Sequence, residues 1–385
     1  MKKITLVLGF ALLLFAACSS APSSKTPDLT GVTSYYVRAD GNDSNVGTSE
    51  DKPFKTLSKA VQVALSTKVK KITVIGTLDE TTTIKNTVKP ILSAVVDYPV
   101  IEMDVGGKKV VSVDLTKPAF AKIKGSYDEP DPNQILITGK PGASGNERAV
   151  LTNTQNPDNI LLIESATVRL ENIEISGFVS TNSRSRCIRV STGVLILGQG
   201  AKVTNNKIIG VQVNNNSVII MRDNAEVSNN QYGGNTGVNL ETGSVMVMLD
   251  NTAIKGNKSI FNGQGNAGGV AISKGTLIMR GNATIANNSA DNIGGGVVAF
   301  ERDGVIEMYD NATITGNTAL AGGGIFLMGV LRMYDTSKIT NNTASEEGGG
   351  VYGEGKDASF YKADTAVLAN NKAPEYPDTN FNLKK

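Results

Sequence analysis

AKVTNN (201–206), AEVSNN (225–230), TAIKGN (252–257), ATIANN (283–288), ATITGN (312–317), SKITNN (337–342) and AVLANN (366–371) are seven copies of one short phrase. From the first final Asn to the last is 165 residues in six intervals, a mean period of 27.5. A period in this range marks a solenoid, in which each repeat buries its apolar face only against its neighbours. Three residues before each final Asn stands Val203, Val227, Ile254, Ile285, Ile314, Ile339 or Leu368, an aliphatic column expected to face inward. The residue just before the final Asn is always Asn or Gly, the two types that best tolerate a left-handed backbone. Each coil is therefore expected to turn a sharp corner there. The final Asn is expected to form a ladder, its amide bonding backbone in the coils above and below.

Two further β-like runs complete each period. One reads VIIMRDN (218–224), VMVMLDN (245–251), TLIMRGN (276–282), VIEMYDN (305–311) and VLRMYDT (330–336). Its second and fourth positions are always apolar, as in Ile219/Met221 and Leu331/Met333. The third position drifts from Ile220 and Val247 to Glu307 and Arg332, so it is read as outward. The Met column reads as core filler, because Met packs irregular gaps and no His or Cys accompanies it. The other run follows glycine clusters at Gly268, Gly294, Gly322 and Gly348, with Val270, Val297, Ile325 and Val351 facing in. No phosphate-loop pattern accompanies these glycines. Three short strands per turn predict an all-β fold, a three-sided right-handed parallel β-helix over residues 71–373. Residues 374–385 read as a C-terminal tail.

Composition agrees. The chain has 385 residues, more than one compact core usually holds but natural for a repeat protein. A formal net charge of +2 without a basic stripe argues against a nucleic-acid partner. The absence of His removes Ser-His-Asp and Cys-His catalysis. Only Cys18 and Cys187 occur, too few for a disulfide framework once one is used for lipid.

The N-terminus reads as an export signal. Lys2 and Lys3 precede an apolar stretch from Ile4 to Ala17, which is too short to span a bilayer. The end of that stretch, Leu14-Phe15-Ala16-Ala17-Cys18, resembles a bacterial lipobox, although Phe15 stands where Leu is usual. The resemblance implies cleavage before Cys18 (residues 1–18 being signal and lipobox), acylation of Cys18, and a membrane partner through that lipid. Residues 19–33, rich in Ser, Pro, Thr and Lys, read as a flexible tether. Ser19 and Ser20 after the Cys imply outer-membrane sorting, with the cell-surface and periplasmic faces both open.

Residues 34–70 read as an N-terminal cap. Tyr36, Val37, Gly41, Asp43, Gly47, Thr48, Pro53, Phe54, Thr56 and Ala60 match a pattern that resembles the cap of secreted, pectate-lyase-like β-helix proteins. Leu57, Val61 and Leu65 recur at helical spacing, so a short capping helix is expected over the open coil end. The repeats from Gly193 to Ala373 resemble those of polymorphic outer-membrane proteins. Those proteins end in a membrane barrel; no barrel-like run follows here, so the expected anchor is Cys18. Residues 97–127 break the period and read as an excursion from one coil or a small side lobe.

Candidate chemistry is sparse. Asp223, Asp250, Asp310 and Asp335 form one column, interrupted by Gly281, and read as turn formers that bond their own backbone. Asp40, Asn42, Ser44 and Asp51 have calcium-loop spacing, but Asn45 replaces the required Gly and Asp51 the Glu. An Asx-rich turn is the competing reading, and no cofactor is expected otherwise. Arg184, Arg186 and Arg189 cluster near one loop and suit an acidic glycan, with a solvated loop as the alternative. The segments between the Asn corner and the glycine cluster vary most in length, from five residues (Asn206 to Val211) to thirteen (Asn257 to Val270), and read as partner-binding loops. The longest carries Phe261, read as a binding residue, with a fold-back that pads a neighbouring coil as the alternative. The favoured function is a non-catalytic surface or periplasmic binding protein or adhesin, with a glycan or host protein as partner. A glycan-active enzyme of the polysaccharide-lyase type and a structural envelope spacer are the alternatives.

Overall fold

A computed structural model describes residues 29–381 apart from 87–92, 98–99, 106–107, 114–119, 125–130, 143–147, 156–157, 181, 183, 215, 261 and 264. Cys18, the signal segment and Phe261 lie outside the described residues. Every strand of the repeat region pairs in parallel with the strand one coil away. Among the described residues, three ladders of eleven, ten and nine strands run along the stack. The first begins at Tyr35–Arg38 and ends at Ser359–Lys362; the second runs from Thr77–Asp79 to Val367–Ala369; the third from Thr82–Lys85 to Val351–Gly353. The chain is a parallel β-helix.

The inward columns fall in register as the period requires. Ile219, Met246, Leu277, Ile306 and Leu331 pair in succession in the first sheet. Val203, Val227, Ile254, Ile285, Ile314 and Ile339 do so in the second. All eleven are fully buried. Each such side chain contributes on the order of 1.5–3 kcal/mol of burial. The Asn corners are left-handed, with φ between 52° at Asn229 and 67° at Gly316. At the glycine corners backbone approaches backbone: a Cβ on Gly295 would lie 2.4 Å from the Thr318 carbonyl oxygen.

The capping helix spans Leu57–Ser66, started by Thr56, whose hydroxyl accepts from the Lys59 N–H at 3.1 Å. Its buried stripe is Leu57, Ala60, Val61 and Ala64; Leu65 sits at the margin. Small Ala residues let the helix approach the first coil closely. Asp43 ties the preceding loop to it, accepting from the Lys55 and Thr56 N–H groups at 2.8 and 2.9 Å. Burial opposes that carboxylate's charge, but the bonds from Thr56 and Lys55 prevail and hold its pKa below the usual value.

Three expectations are sharpened or change. The excursion expected over residues 97–127 is an antiparallel arm inserted between the strands Thr82–Lys85 and Ile135–Lys140, and it starts earlier, at Ser93. Ser93–Asp97 pairs with Phe120–Lys124, and Val100–Val105 with Lys108–Val113. Only Gly106 and Gly107 separate the latter two in sequence, the spacing of a tight hairpin. Second, the segments after the Asn corner are not free loops throughout. Gln231–Tyr232, Lys258–Ser259, Ser289–Ala290, Thr318–Ala321 and Thr343–Glu347 form a fourth, short parallel ladder. Third, the β-helix continues past Ala373: Glu375 bridges Glu347 and Thr379 bridges Val351. Phe381 then packs edge-on against Phe360, and Lys362 takes the inward position of the Met column, donating to the Ala363 and Ala366 carbonyls at 3.0 and 2.7 Å. A charge aimed at the core end discourages a further strand from adding there.

Candidate functional site

The outer faces carry the chemistry, because the interior is filled. In the first sheet the outward position is not solvated as its charges suggested. Ile220, Val247, Glu307 and Arg332 are 5, 1, 0 and 4 % exposed. Arg332 pairs with Glu307 at 2.7 Å, Tyr309 donates to the same carboxylate at 2.8 Å, and Arg280 lies over the Tyr309 ring. Tyr309 stacks on Tyr334 with centroids 5.0 Å apart. Stacking the coils sets large side chains over the carboxylate, so an outward direction did not mean an exposed one. Burial pushes the Glu307 pKa up, against the opposing pull of Tyr309 and Arg332.

The third sheet is different at its N-terminal end. Parallel register places Arg189, Gln212 and Asn239 in one outward column. Arg186, at the start of the strand Arg186–Ser191, stands beside it, and Asn214, Glu241 and Thr242 follow where the chain leaves the sheet. Arg186, Arg189, Gln212, Asn214, Glu241 and Thr242 line a groove of about 360 Å³. Its floor is a bonded network. Gln212 Oε1 accepts from Arg186 Nε at 3.1 Å and from Asn239 Nδ2 at 3.0 Å. Glu241 Oε1 accepts from Gln212 Nε2 and Asn239 Nδ2, both at 3.0 Å. Gln212 Nε2 also donates to Asn214 Oδ1 at 2.7 Å. With Gln212 and Asn239 only 4 and 6 % exposed, the amides are locked in place.

Two cations share this groove. Burial, then the charge of Arg189, lowers the Arg186 pKa, with Tyr232 and Glu241 opposing. Arg189 donates through Nη2 to the Arg184 carbonyl at 2.9 Å, while its buried Nε has no hydrogen-bond partner among the described residues. Arg184 contributes that carbonyl, and its side chain is exposed. Of the three arginines read from the sequence, two therefore meet in one site. Gln212, Asn214, Asn239 and Glu241 were missed. The signal for them is the alternation around inward Val211, Val213, Val238 and Leu240, which sets Gln212, Asn214, Asn239 and Glu241 at outward positions.

The other candidates have structural partners. Asp40 pairs with Arg38, and Asn42 Oδ1 accepts from the Ser44 N–H at 2.9 Å, an Asx turn. Asp51 is exposed, and among the described residues no three acidic, His or Cys side chains gather as a metal would need. The Asp column bonds not its own backbone but that of the preceding coil: Asp310 Oδ2 accepts from the Gly281 N–H at 2.9 Å, and Asp335 Oδ2 from the Asp310 N–H at 3.0 Å. Left-handed backbone at each position turns the N–H toward the next coil's carboxylate. Cys187 is free and buried, its thiol pKa pushed well up by burial.

No family model matches the chain, and no curated protein matches it. Among solved structures a rhamnogalacturonan lyase aligns over 92 % of this chain and 88 % of its own, with 11 % identity and a TM-score of 0.39. The parallel strand pairing described above establishes the fold by itself.

Proposed function

We propose that this chain is a lipid-anchored, extracytoplasmic β-helix that binds an acidic glycan in the third-sheet groove without cleaving it. The observation that carries the reading is the pairing of Arg186 and Arg189 over a fixed floor of amides. Guanidinium groups suit carboxylate or sulfate, and amides suit sugar hydroxyls. Two like charges held together raise the groove's affinity for an anion. Titration of the chain with polygalacturonate and other acidic glycans tests this. Binding that weakens with salt and falls at least about tenfold in Arg186→Gln/Arg189→Gln is expected, since charged hydrogen bonds are worth about 1.5–3 kcal/mol each. Absence of binding to every acidic glycan, or an unchanged double variant, overturns it.

A second reading, elimination from an acidic sugar, is favoured by one observation: the groove sets two guanidinium groups, which could hold a substrate carboxylate, beside the Glu241 carboxylate, which could take a proton. Ultraviolet absorbance from an unsaturated product in the same titration would replace the binding reading with this one. Anchoring rests on the sequence around Cys18. Wild type is expected in the membrane fraction and Cys18→Ser in the soluble one; equal membrane association of both would remove the lipid from the proposal.

A further inference from the structure

The column of residues that walls the groove continues along the stack beyond the groove's charges. Position by position, Asn214 and Glu241 are continued along the stack by Ser273, Phe300 and Met328. The N–H groups of Glu241, Ser273, Phe300 and Met328 each bond a carbonyl one coil back, at 2.9 Å, so these residues form one column. Ser273, between Glu241 and Phe300 in this column, is small and half-buried. Phe300 and Met328 are half-buried, resting on the outer cluster that includes Val298 and Phe326. Phe300 packs on that cluster with part of its ring and leaves the rest to solvent, on the column that continues the groove's wall.

We propose that Phe300, with Met328, is a second subsite for the same glycan, which lies along the stack from the arginine pair to Phe300. This rests on the acidic-glycan reading of the groove. The strand of Arg189 and the strand before Phe300 are four coil steps apart. At ~4.8 Å per step the two subsites are separated by ~19 Å, a length of several sugar rings. A pyranose is polar at its rim and apolar on its C–H face, and that face packs on an aromatic ring. The polar end of the groove reads acid groups and hydroxyls; the aromatic end reads the flat face of a later ring. Single sugars or dimers engage only one end.

The test is calorimetric titration of the full chain with an oligogalacturonide series from dimer to hexamer. Wild-type affinity is expected to rise with length, with a step once both ends are reached. Phe300→Ala is expected to lose about tenfold for the hexamer and nothing for the dimer. Phe300→Leu, which keeps the outer packing but not the aromatic face, is expected to lose most of the same step. Binding of the series that is independent of length, or a hexamer affinity unchanged in both variants, overturns the second subsite and leaves the arginine groove standing. No binding at any length overturns the second subsite, and absence of binding to every other acidic glycan as well overturns the arginine groove.

Discussion

Two corners of the repeat coils use the same bond in opposite surroundings. At the Asn corner a side-chain oxygen accepts from the preceding coil: Asn288 Oδ1 takes the Asn257 N–H at 3.0 Å and its Nδ2 at 3.0 Å, while Asn288 Nδ2 donates to the Ile254 carbonyl at 3.0 Å. At the Asp corner Asp310 Oδ2 takes the Gly281 N–H at 2.9 Å. Asn288 is 0 % exposed, and Asp310 is exposed. Water can replace the bond at the second corner but not at the first. The sequence reflects this: Asn occupies all seven positions of its column, whereas the Asp column admits Gly281. A buried ladder is obligatory because each missing rung leaves groups without partners; an exposed one is optional.

Asn288→Leu should break the comparison most severely. It removes the acceptor of the Asn257 N–H and of one Asn257 Nδ2 hydrogen, the other staying on the Val227 carbonyl, and removes the donor to Ile254, and a loss of about 4 kcal/mol is expected in urea unfolding. A loss no greater than that of the Asp variants below would show that burial is not what separates the corners. Arg332→Met probes an intermediate case, a charge pair on an outer wall that is nevertheless buried. It should cost about 3 kcal/mol by leaving Glu307 unpaired, and Glu307→Leu added to it should recover most of that. If the single variant is harmless, the outer wall is wetter than its burial implies. The smallest effects belong to Asp310. Asp310→Gly should change stability by less than about 0.5 kcal/mol, and Asp310→Ala should cost about 1 kcal/mol because its φ of 53° disfavours a Cβ. Equal losses in the two would mean that the carboxylate bond, not the backbone angle, sets the preference.

Much of the fold was legible in the repeat. The inward columns, the left-handed corner before each final Asn and the helix at Leu57 and Val61 all follow from local periodicity. The arm is legible as an excursion from one coil or a side lobe, but not its antiparallel pairing, because one copy of a segment offers no period to align. The fourth ladder was read as loop because most of its strands are two residues long, too short for any alternation. The groove was half legible: Arg184, Arg186 and Arg189 are close in sequence, but Glu241 lies 52 residues beyond Arg189.

The sequence by itself determined which residues face inward, where each coil turns and that the coils stack in parallel. Those features depend on alternation and backbone preference, and every copy of the repeat states them again. Only the tertiary structure decided which outward residues become neighbours and which are covered. Glu307 and Gln212 both occupy outward positions, yet one lies beneath Arg332 and Tyr309 and the other floors a groove beside two arginines. The reason is that an outward side chain's surroundings come from the coils on either side, about 27.5 residues away in sequence. Its own strand fixes its direction, and the stack fixes its environment.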